Sequence, residues 1–400
     1  MGAAPLIGAI ADDVTGATDL CSVLAAEGMR TVQTIGVARE VELPEVDAIV
    51  VALKSRTAPV AEAVAASTDA LAWLRELGAE QILFKVCSTF DSTPEGNIGP
   101  VADALSDAVG ADVVVVTPAY PTNGRTVYQG HLFVGDRLLS ESSMAHHPLT
   151  PMTDSDLVRF LGRQTERRVG LVPLSVVRAG REAIRSRLDE LRVSYAIADA
   201  VEDDDLRAIG AACAGLPLVV GGAGIALGLP ANFGVSPHAV EAETPPPGPA
   251  VVLAGSCSTA TQEQVRRMAE RYQAIKVDVD TSVDALPIDL SNGPVLVYST
   301  APPEELAHAQ ERVGSAERIE TLLGELAQRF VAAGARRLIV AGGETSGAVV
   351  QALGVRALAV GREIAPGVPW MTSLGDPPLA LALKSGNFGG PDFFLEALAA

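Results

Sequence analysis

Lys85-Val-Cys-Ser-Thr-Phe-Asp-Ser-Thr-Pro-Glu-Gly-Asn-Ile-Gly99 starts at the end of an apolar run and breaks at once into polar chemistry. Residues 81–86 read as a strand and 99–109 as a helix, so the polar side chains fall in the turn between them. In an open parallel sheet that turn lies at the carboxyl ends of the strands, where ligands bind. Lys85 is placed to neutralise an anion and Asp91 to take a proton from a hydroxyl. Ser88, Thr89, Ser92, Thr93 and Asn97 are placed to hold a polyol through short hydrogen bonds. The combination suits a small sugar acid. The competing explanation is a capped loop rich in Asx and Ser/Thr turns.

Outward from this stretch the chain alternates short Val/Ile/Leu runs with Ala-rich helical patterns. Strands are expected at 6–10, 31–37, 48–53, 81–86 and 112–116, with helices at 16–28, 60–77 and 99–109. Most of these runs are continuously apolar, as a sheet covered on both faces requires. Residues 119–153 break the pattern with prolines, glycines and a His-His pair, which points to a functional excursion. Alternation resumes at 169–173, 180–191, 194–198, 203–214 and 217–220. The segment 241–249, Glu-Ala-Glu-Thr-Pro-Pro-Pro-Gly-Pro, continues neither a helix nor a central strand and reads as a linker. A second alternation follows, with strands at 250–254, 274–277, 295–299, 337–341, 358–360 and 378–383. Its helices fall near 259–272, 315–333, 345–353 and 392–399. The expected fold is therefore α/β, in two domains at 1–240 and 250–400, each a mostly parallel sheet flanked by helices, with an active site in the cleft between them.

Composition narrows the function. Thirty Lys and Arg stand against 49 Asp and Glu, a formal charge of −19. Such a field opposes nucleic acid and anionic membranes, so an anion site has to be built by particular residues. Aromatic residues are only 4% of a chain that is 48% hydrophobic, so Ala, Val, Leu and Ile must fill the cores. Cys21, Cys87, Cys213 and Cys257 show no metal-ligand spacing and read as reduced thiols. No apolar run reaches membrane-spanning length and no basic leader precedes one, so a cytoplasmic protein is expected.

Several strand ends carry chemistry. Ile10-Ala-Asp-Asp-Val-Thr-Gly-Ala-Thr-Asp follows the first strand and opens a helix, which puts Asp12 and Asp13 at the exposed sheet edge. They are suited to bind hydroxyls, act as base or hold Mg²⁺, or simply to cap the helix. Lys54 and Arg56 in Leu53-Lys-Ser-Arg-Thr, with Lys85 and with Arg125 in Pro121-Thr-Asn-Gly-Arg-Thr, give four cations on turns after strands. A guanidinium fork suits a carboxylate. Asn123 lies in the last of these turns. His131, His146 and His147 lack zinc-ligand spacing and are read as structural or substrate-lining. The second half places Ala254-Gly-Ser-Cys-Ser-Thr-Ala-Thr, Val340-Ala-Gly-Gly-Glu-Thr-Ser-Gly and Lys384-Ser-Gly-Asn-Phe-Gly-Gly after three strands. Small residues there let backbone N–H groups approach phosphate oxygens, pointing to a nucleotide. Neither a P-loop nor a dinucleotide fingerprint is present.

Together these motifs, with the long stretch Gly130-His-Leu-Phe-Val-Gly-Asp-Arg-Leu-Leu-Ser and Ile364-Ala-Pro-Gly-Val-Pro-Trp, resemble the four-carbon acid sugar kinase family, nearest its 3-oxo-tetronate 4-kinase branch. The resemblance runs nearly end to end, and Val14 stands where many relatives carry Phe. It implies an N-terminal acid-sugar domain, a C-terminal nucleotide domain, and phosphorylation of the terminal hydroxyl of a 3-oxo-tetronate from ATP in sugar-acid catabolism. It implies nucleotide contacts at Ser256 or Ser258, at Gly342, Gly343, Glu344 and Thr345, and at Gly386 with Asn387. Within that scheme Arg56 and Lys85 would grip the substrate carboxylate, Asp13 or Asp91 would accept the 4-hydroxyl proton, and Lys384 or Mg²⁺ would steady the γ-phosphate. A kinase for the reduced acids erythronate or threonate, a nicotinamide-dependent dehydrogenase and a non-catalytic sugar-acid sensor are the alternatives. The partner is a small-molecule acid sugar, with homo-oligomerisation left open.

Overall fold

A computed structural model describes residues 4–147, 149–237, 245–299 and 315–400. The chain divides into two compact units, Met1–Val32 with Glu42–Val240, and Gln33–Val41 with Glu241–Ala400. Both are α/β with mostly parallel sheets. The linker expected at 241–249 falls partly outside the described residues, which resume at 245.

In the first unit the strands are β1 (Ile7–Ala11), β2 (Thr31–Ile35), which begins here, β3 (Ala48–Ala52), β4 (Gln81–Lys85) and β5 (Val114–Thr117). The short hairpin strands β6 (Arg125–Tyr128), β7 (His131–Val134) and β8 (Arg137–Leu138) follow, then β9 (Val169–Val172), β10 (Tyr195–Ala198) and β11 (Leu218–Gly221). The parallel sheet runs β3-β1-β4-β11-β5-β10-β9. Every residue of β1, β3 and β4 is buried, as continuous apolar runs covered on both faces demand. The helices are α1 (Val14–Ala26), α2 (Val60–Glu76), α3 (Ile98–Val109), α4 (Leu157–Leu161), α5 (Leu174–Val177), α6 (Arg181–Leu191) and α7 (Asp203–Ala212).

The excursion 119–153, read from sequence as irregular, contains the antiparallel sheet β6-β7-β8 and several 3₁₀ turns. Gln129 and Gly130 close the β6–β7 hairpin with φ of 50° and 73°, the doubly left-handed backbone a tight two-residue turn uses. The buried carboxylate of Asp199, after β10, accepts from both turn N–H groups at 2.8 Å and from the Leu174 N–H at 3.0 Å. An isolated Asp thus fixes a hairpin about 70 residues distant in sequence.

In the second unit the strands are β12 (Ala250–Ala254), β13 (Gln273–Lys276), β14 (Val295–Tyr298), β15 (Arg337–Ala341), β16 (Ala357–Ala365), β17 (Val368–Ser373) and β18 (Ala380–Lys384). Its helices include α8 (Thr259–Ala269), α9 (Ser315–Ala332), α10 (Gly343–Ala352) and α11 (Phe393–Ala399). The order is β13-β14-β12-β15-β18-β17-β16, parallel as far as β18 and antiparallel beyond it. The strand expected at 358–360 is longer and turns back at Gly367, φ 76°, into β17, which the sequence reading lacked. Residues 33–41 belong to this unit. Arg356 holds them by Nε to Glu40 at 2.6 Å and by its Nη groups to the carbonyls of Ile35 and Val37.

One close approach in the first unit is between two glycines. A Cβ on Gly210 in α7 would lie 2.4 Å from the Gly228 carbonyl carbon and 2.5 Å from its Cα, backbone that cannot yield as a side chain can. Gly210→Ala should therefore lower unfolding free energy by about 2 kcal/mol in urea titration, the usual scale of overpacking. A gain in stability, as helix propensity alone would give at about 1 kcal/mol, would show that the approach is looser than described.

Candidate active site

Five of the expected sugar-side residues fall at the carboxyl ends of three adjacent strands. β1 leads into Asp12 and Asp13, β3 into Lys54 and Arg56, and β4 ends at Lys85. Their loops are stitched together through the backbone: Asp12 N–H donates to Lys85 O at 3.1 Å, and the Ser55 and Arg56 N–H groups donate to Asp12 O at 3.0 and 3.2 Å.

Arg56 occupies the centre. Its Nε and Nη2 donate to the two oxygens of Asp12 at 3.0 and 2.8 Å, and Nη2 also donates to Asp13 Oδ1 at 2.6 Å. Asp13 in turn caps α1, accepting from the Gly16 N–H at 3.0 Å and the Thr15 hydroxyl at 2.8 Å. The sequence leaves the cap to an Asp or a Thr of this turn; Asp13 takes it and shares Arg56 with Asp12. Burial works to raise the Asp13 carboxyl, but Arg56, Lys85 and the two capping bonds outweigh it and hold it below its ordinary value. Burial alone would lower Arg56, yet Asp12 and Asp13 hold it well above its ordinary value. Lys85 is buried, donates to Val86 O at 2.9 Å, and lies so near Gly16 that a Cβ there would be 3.0 Å from its Nζ.

The 88–97 turn packs beside this trio. Thr89 is buried with its hydroxyl 3.0 Å from Cys87 Sγ, and Ser88 is half-buried. Cys87 is pushed up to about 11 by burial, with Asp91 raising it further and Arg56 and Lys85 opposing, so four of these groups share one neighbourhood. Phe90 adopts φ 54° although it is a fully buried aromatic, an uncommon backbone for a bulky residue. It is fixed edge-on against Phe160 at 6.1 Å. The next residue, Asp91, is buried with an Oδ1 that has no hydrogen-bond partner among the described residues. Asn97 donates to the carbonyls of Ser55 and Ala58, joining this turn to the Arg56 loop.

Sequence reasoning missed Gln164, which shapes the turn. Its Nε2 donates to Ser92 Oγ at 3.0 Å and Thr93 O at 2.6 Å, and its Oε1 accepts from the Gly99 N–H at 2.9 Å. No local signal marks it, since its partners are more than 60 residues away in sequence. Of the other expected sugar-side residues, Lys54 is exposed beside Arg56. Asn123 and Arg125 follow β5, two places from β4 in the sheet, and Arg125 donates to the Asn123 carbonyl. The histidines are local: His131 Nδ1 lies 2.8 Å from Gln129 O, and His147 Nδ1 lies 2.9 Å from the Thr150 hydroxyl.

In the second unit the three glycine-rich turns follow β12, β15 and β18, which are adjacent in the sheet. Gly255 and Ser256 N–H groups donate to Ala341 O, and Gly342 N–H donates to Lys384 O at 2.9 Å. Gly342 has φ 126°, open only to glycine, and starts α10 with no side-chain cap, leaving that helix end open to an anion. Gly343 and Glu344 are exposed there and Thr345 is buried. Close approach forces glycine elsewhere too: a Cβ on Gly255 would lie 2.2 Å from Thr345 Oγ1, and one on Gly386 2.3 Å from Ser256 Oγ. Ser258 caps α8. Asn387 is exposed at the loop tip. Lys384 is fully buried, with Nζ 3.0 Å from Thr261 Oγ1 and 3.1 Å from Gly386 O.

Residues 7–229 match the model of a sugar-binding N-terminal domain and 251–394 that of a nucleotide-binding C-terminal domain. The chain is 54% identical to the 3-oxo-tetronate kinase of Cupriavidus necator, covering 98% of this chain and 96% of that protein. It belongs to the four-carbon acid sugar kinase family. The 3-oxo-tetronate kinase of Pseudomonas fluorescens is 53% identical over the same shares of both chains. A solved structure from Salmonella typhimurium LT2 superposes with a TM-score of 0.89 at 44% identity, covering 98% of each chain.

Burial lowers Lys384 from its ordinary 10.5 to about 7. Between those values the unfolded chain binds a proton that the folded chain does not. Stability therefore rises with pH across that window, and the cost of burying the charge is full below pH 7. Lys384→Met removes the cost, so its melting temperature relative to the parent should be higher at pH 6 than at pH 9. Parallel pH curves for the two proteins would show that Lys384 titrates as a free lysine does.

Proposed function

We propose that the chain transfers the γ-phosphoryl group of ATP to the 4-hydroxyl of a 3-oxo-tetronate, giving ADP and the 4-phosphate. The observation that carries this reading is the convergence of three glycine turns on adjacent strands of the second unit, an arrangement of backbone N–H groups suited to phosphate. The names of the relatives supply the acceptor. Ser256, Ser258, Gly342, Gly343, Glu344, Thr345, Gly386 and Asn387 are the proposed nucleotide contacts.

On the sugar side, Arg56 and Lys85, with Lys54 and Arg125 as further cations, favour the substrate carboxylate, while Ser88, Thr89 and Asn123 offer hydrogen bonds to its oxygens. Asp12 keeps Arg56 oriented. Both oxygens of Asp13 are engaged, whereas Asp91 Oδ1 has no partner among the described residues. Asp91 is therefore the proposed base. The 4-hydroxyl oxygen forms the new bond to the γ-phosphorus as the bond from that phosphorus to the bridging oxygen of ADP breaks. The hydroxyl proton passes to Asp91 Oδ1. Lys384, committed to Thr261 and Gly386, lies beneath the phosphate turn rather than at its surface and places positive charge there only in its protonated form. Among the described residues no group of three or more His, Cys, Asp or Glu forms a metal cage. Mg²⁺ would accordingly be carried on the ATP phosphates and completed by water, neutralising their charge.

Purified protein given ATP, Mg²⁺ and 3-oxo-tetronate should release one ADP per 4-phosphate formed. Erythronate and threonate should be poorer acceptors. Asp91→Asn should lower kcat by roughly 10²-fold, the scale of a lost general base. Asp13→Asn, which still caps a helix, should act more through KM for the acid. The reverse pattern would exchange the two roles, and no turnover with any four-carbon acid would end the kinase reading.

A further inference from the structure

The face of α8 turned toward the 385–390 turn carries a ladder of polar side chains spaced three residues apart: Ser258, Thr261 and Gln264. At such spacing on a helix they stand in line. Thr261 and Gln264 are essentially fully buried, unusual for residues of their type without a partner to satisfy.

Their partners are almost all backbone carbonyls of one turn. Gly386 O accepts from Ser258 Oγ at 2.6 Å, from Thr261 Oγ1 at 2.8 Å and from Lys384 Nζ at 3.1 Å. Gln264 Nε2 lies 3.1, 3.1 and 3.0 Å from the carbonyls of Phe388, Gly389 and Gly390. Three acceptors around one amide nitrogen require that the amide present its NH₂ there, which settles its orientation. Its Oε1 is buried without a partner among the described residues, so the amide is held for its donors alone. Four carbonyls of the turn, Gly386, Phe388, Gly389 and Gly390, are thereby drawn toward α8.

A turn whose carbonyls are pulled to one side is free to present N–H groups to the other. An anion needs that polarity and a relaxed glycine turn does not hold it, because glycines lose the most conformational freedom on ordering. We propose that Thr261 and Gln264 are positioning residues that hold the 385–390 turn in its nucleotide-receiving shape, and so set nucleotide affinity without touching the nucleotide. The proposal rests on the reading of that turn as a phosphate contact.

The test compares Thr261→Val, which keeps shape and loses the hydroxyl, Thr261→Ser, which restores it, and Gln264→Glu, which keeps shape and replaces donors with acceptors. ADP affinity is measured by calorimetry, and KM for ATP and for 3-oxo-tetronate by steady-state kinetics. T261V and Q264E should weaken ADP binding and raise KM for ATP by about tenfold or more, KM for the acid should stay within about twofold, and T261S should return both to near the parent values. Unchanged ADP affinity in any folded variant of the first two overturns the proposal, as does an equal rise in both KM values, which a merely structural role would give. If T261V does not fold, Thr261→Ala carries the same expectation. A parent protein that neither binds ADP nor consumes ATP would instead refute the kinase reading, before any variant is compared.

Discussion

The first unit's site depends on a single guanidinium shared by two carboxylates. Arg56 bridges Asp12 and Asp13 while its backbone is bound to the Asp12 carbonyl, so one residue fixes both the charge and the course of two loops. Taking such a group away leaves two carboxylates in a largely dry place, and breaking a buried ion pair commonly costs about 3–5 kcal/mol. A chain with a formal charge of −19 opposes an anionic ligand, so a cationic strand edge has to be built by particular residues such as these. Arg56 and Lys85 are each fixed by local acceptors, the two carboxylates and the Val86 carbonyl, so their charge is aimed by these contacts rather than by the field of the whole protein.

The second unit is arranged differently, gathering backbone groups rather than charged side chains at its strand ends, as the proposed phosphate site requires. Its three turns carry glycine where φ or close approach allows nothing else, as at Gly342 and Gly386, and the carbonyls of the 385–390 turn are satisfied from behind. Lys384 is the one cation directed into this cluster by the hydrogen bonds described, and it is buried under the turn. Both units thus gather their candidate site residues at the carboxyl ends of parallel strands, where α/β sheets take ligands, one with charged side chains and the other with glycine turns.

Much of this was legible in the sequence because continuous apolar runs and helical periodicity mark a covered parallel sheet, and because polar residues bunch where such strands end. Asp12, Asp13, Arg56 and Lys85 stand out that way as candidates, as do the three glycine turns, and strand adjacency within each unit places each set side by side. The hairpin β6–β7 and the strand β17 escaped because short antiparallel strands interrupted by Gly and Pro carry no period of their own. The inclusion of residues 33–41 in the second unit has no signature either, since it depends on Arg356 and Glu40, more than 300 residues apart. Gln164, Asp199 and Gln264 look like ordinary surface polar residues in the sequence. Their importance lies in partners that only the fold supplies, and the unpaired oxygen of Asp91 is likewise visible only once its surroundings are packed.

In the proposed reaction, backbone N–H groups of three turns in the second unit receive the nucleotide phosphates. Amide hydrogen exchange read by mass spectrometry, with and without saturating ADP and Mg²⁺, tests it directly. Protection confined to 255–258, 342–346 and 385–390 is the predicted result; protection elsewhere with those turns unchanged would contradict it.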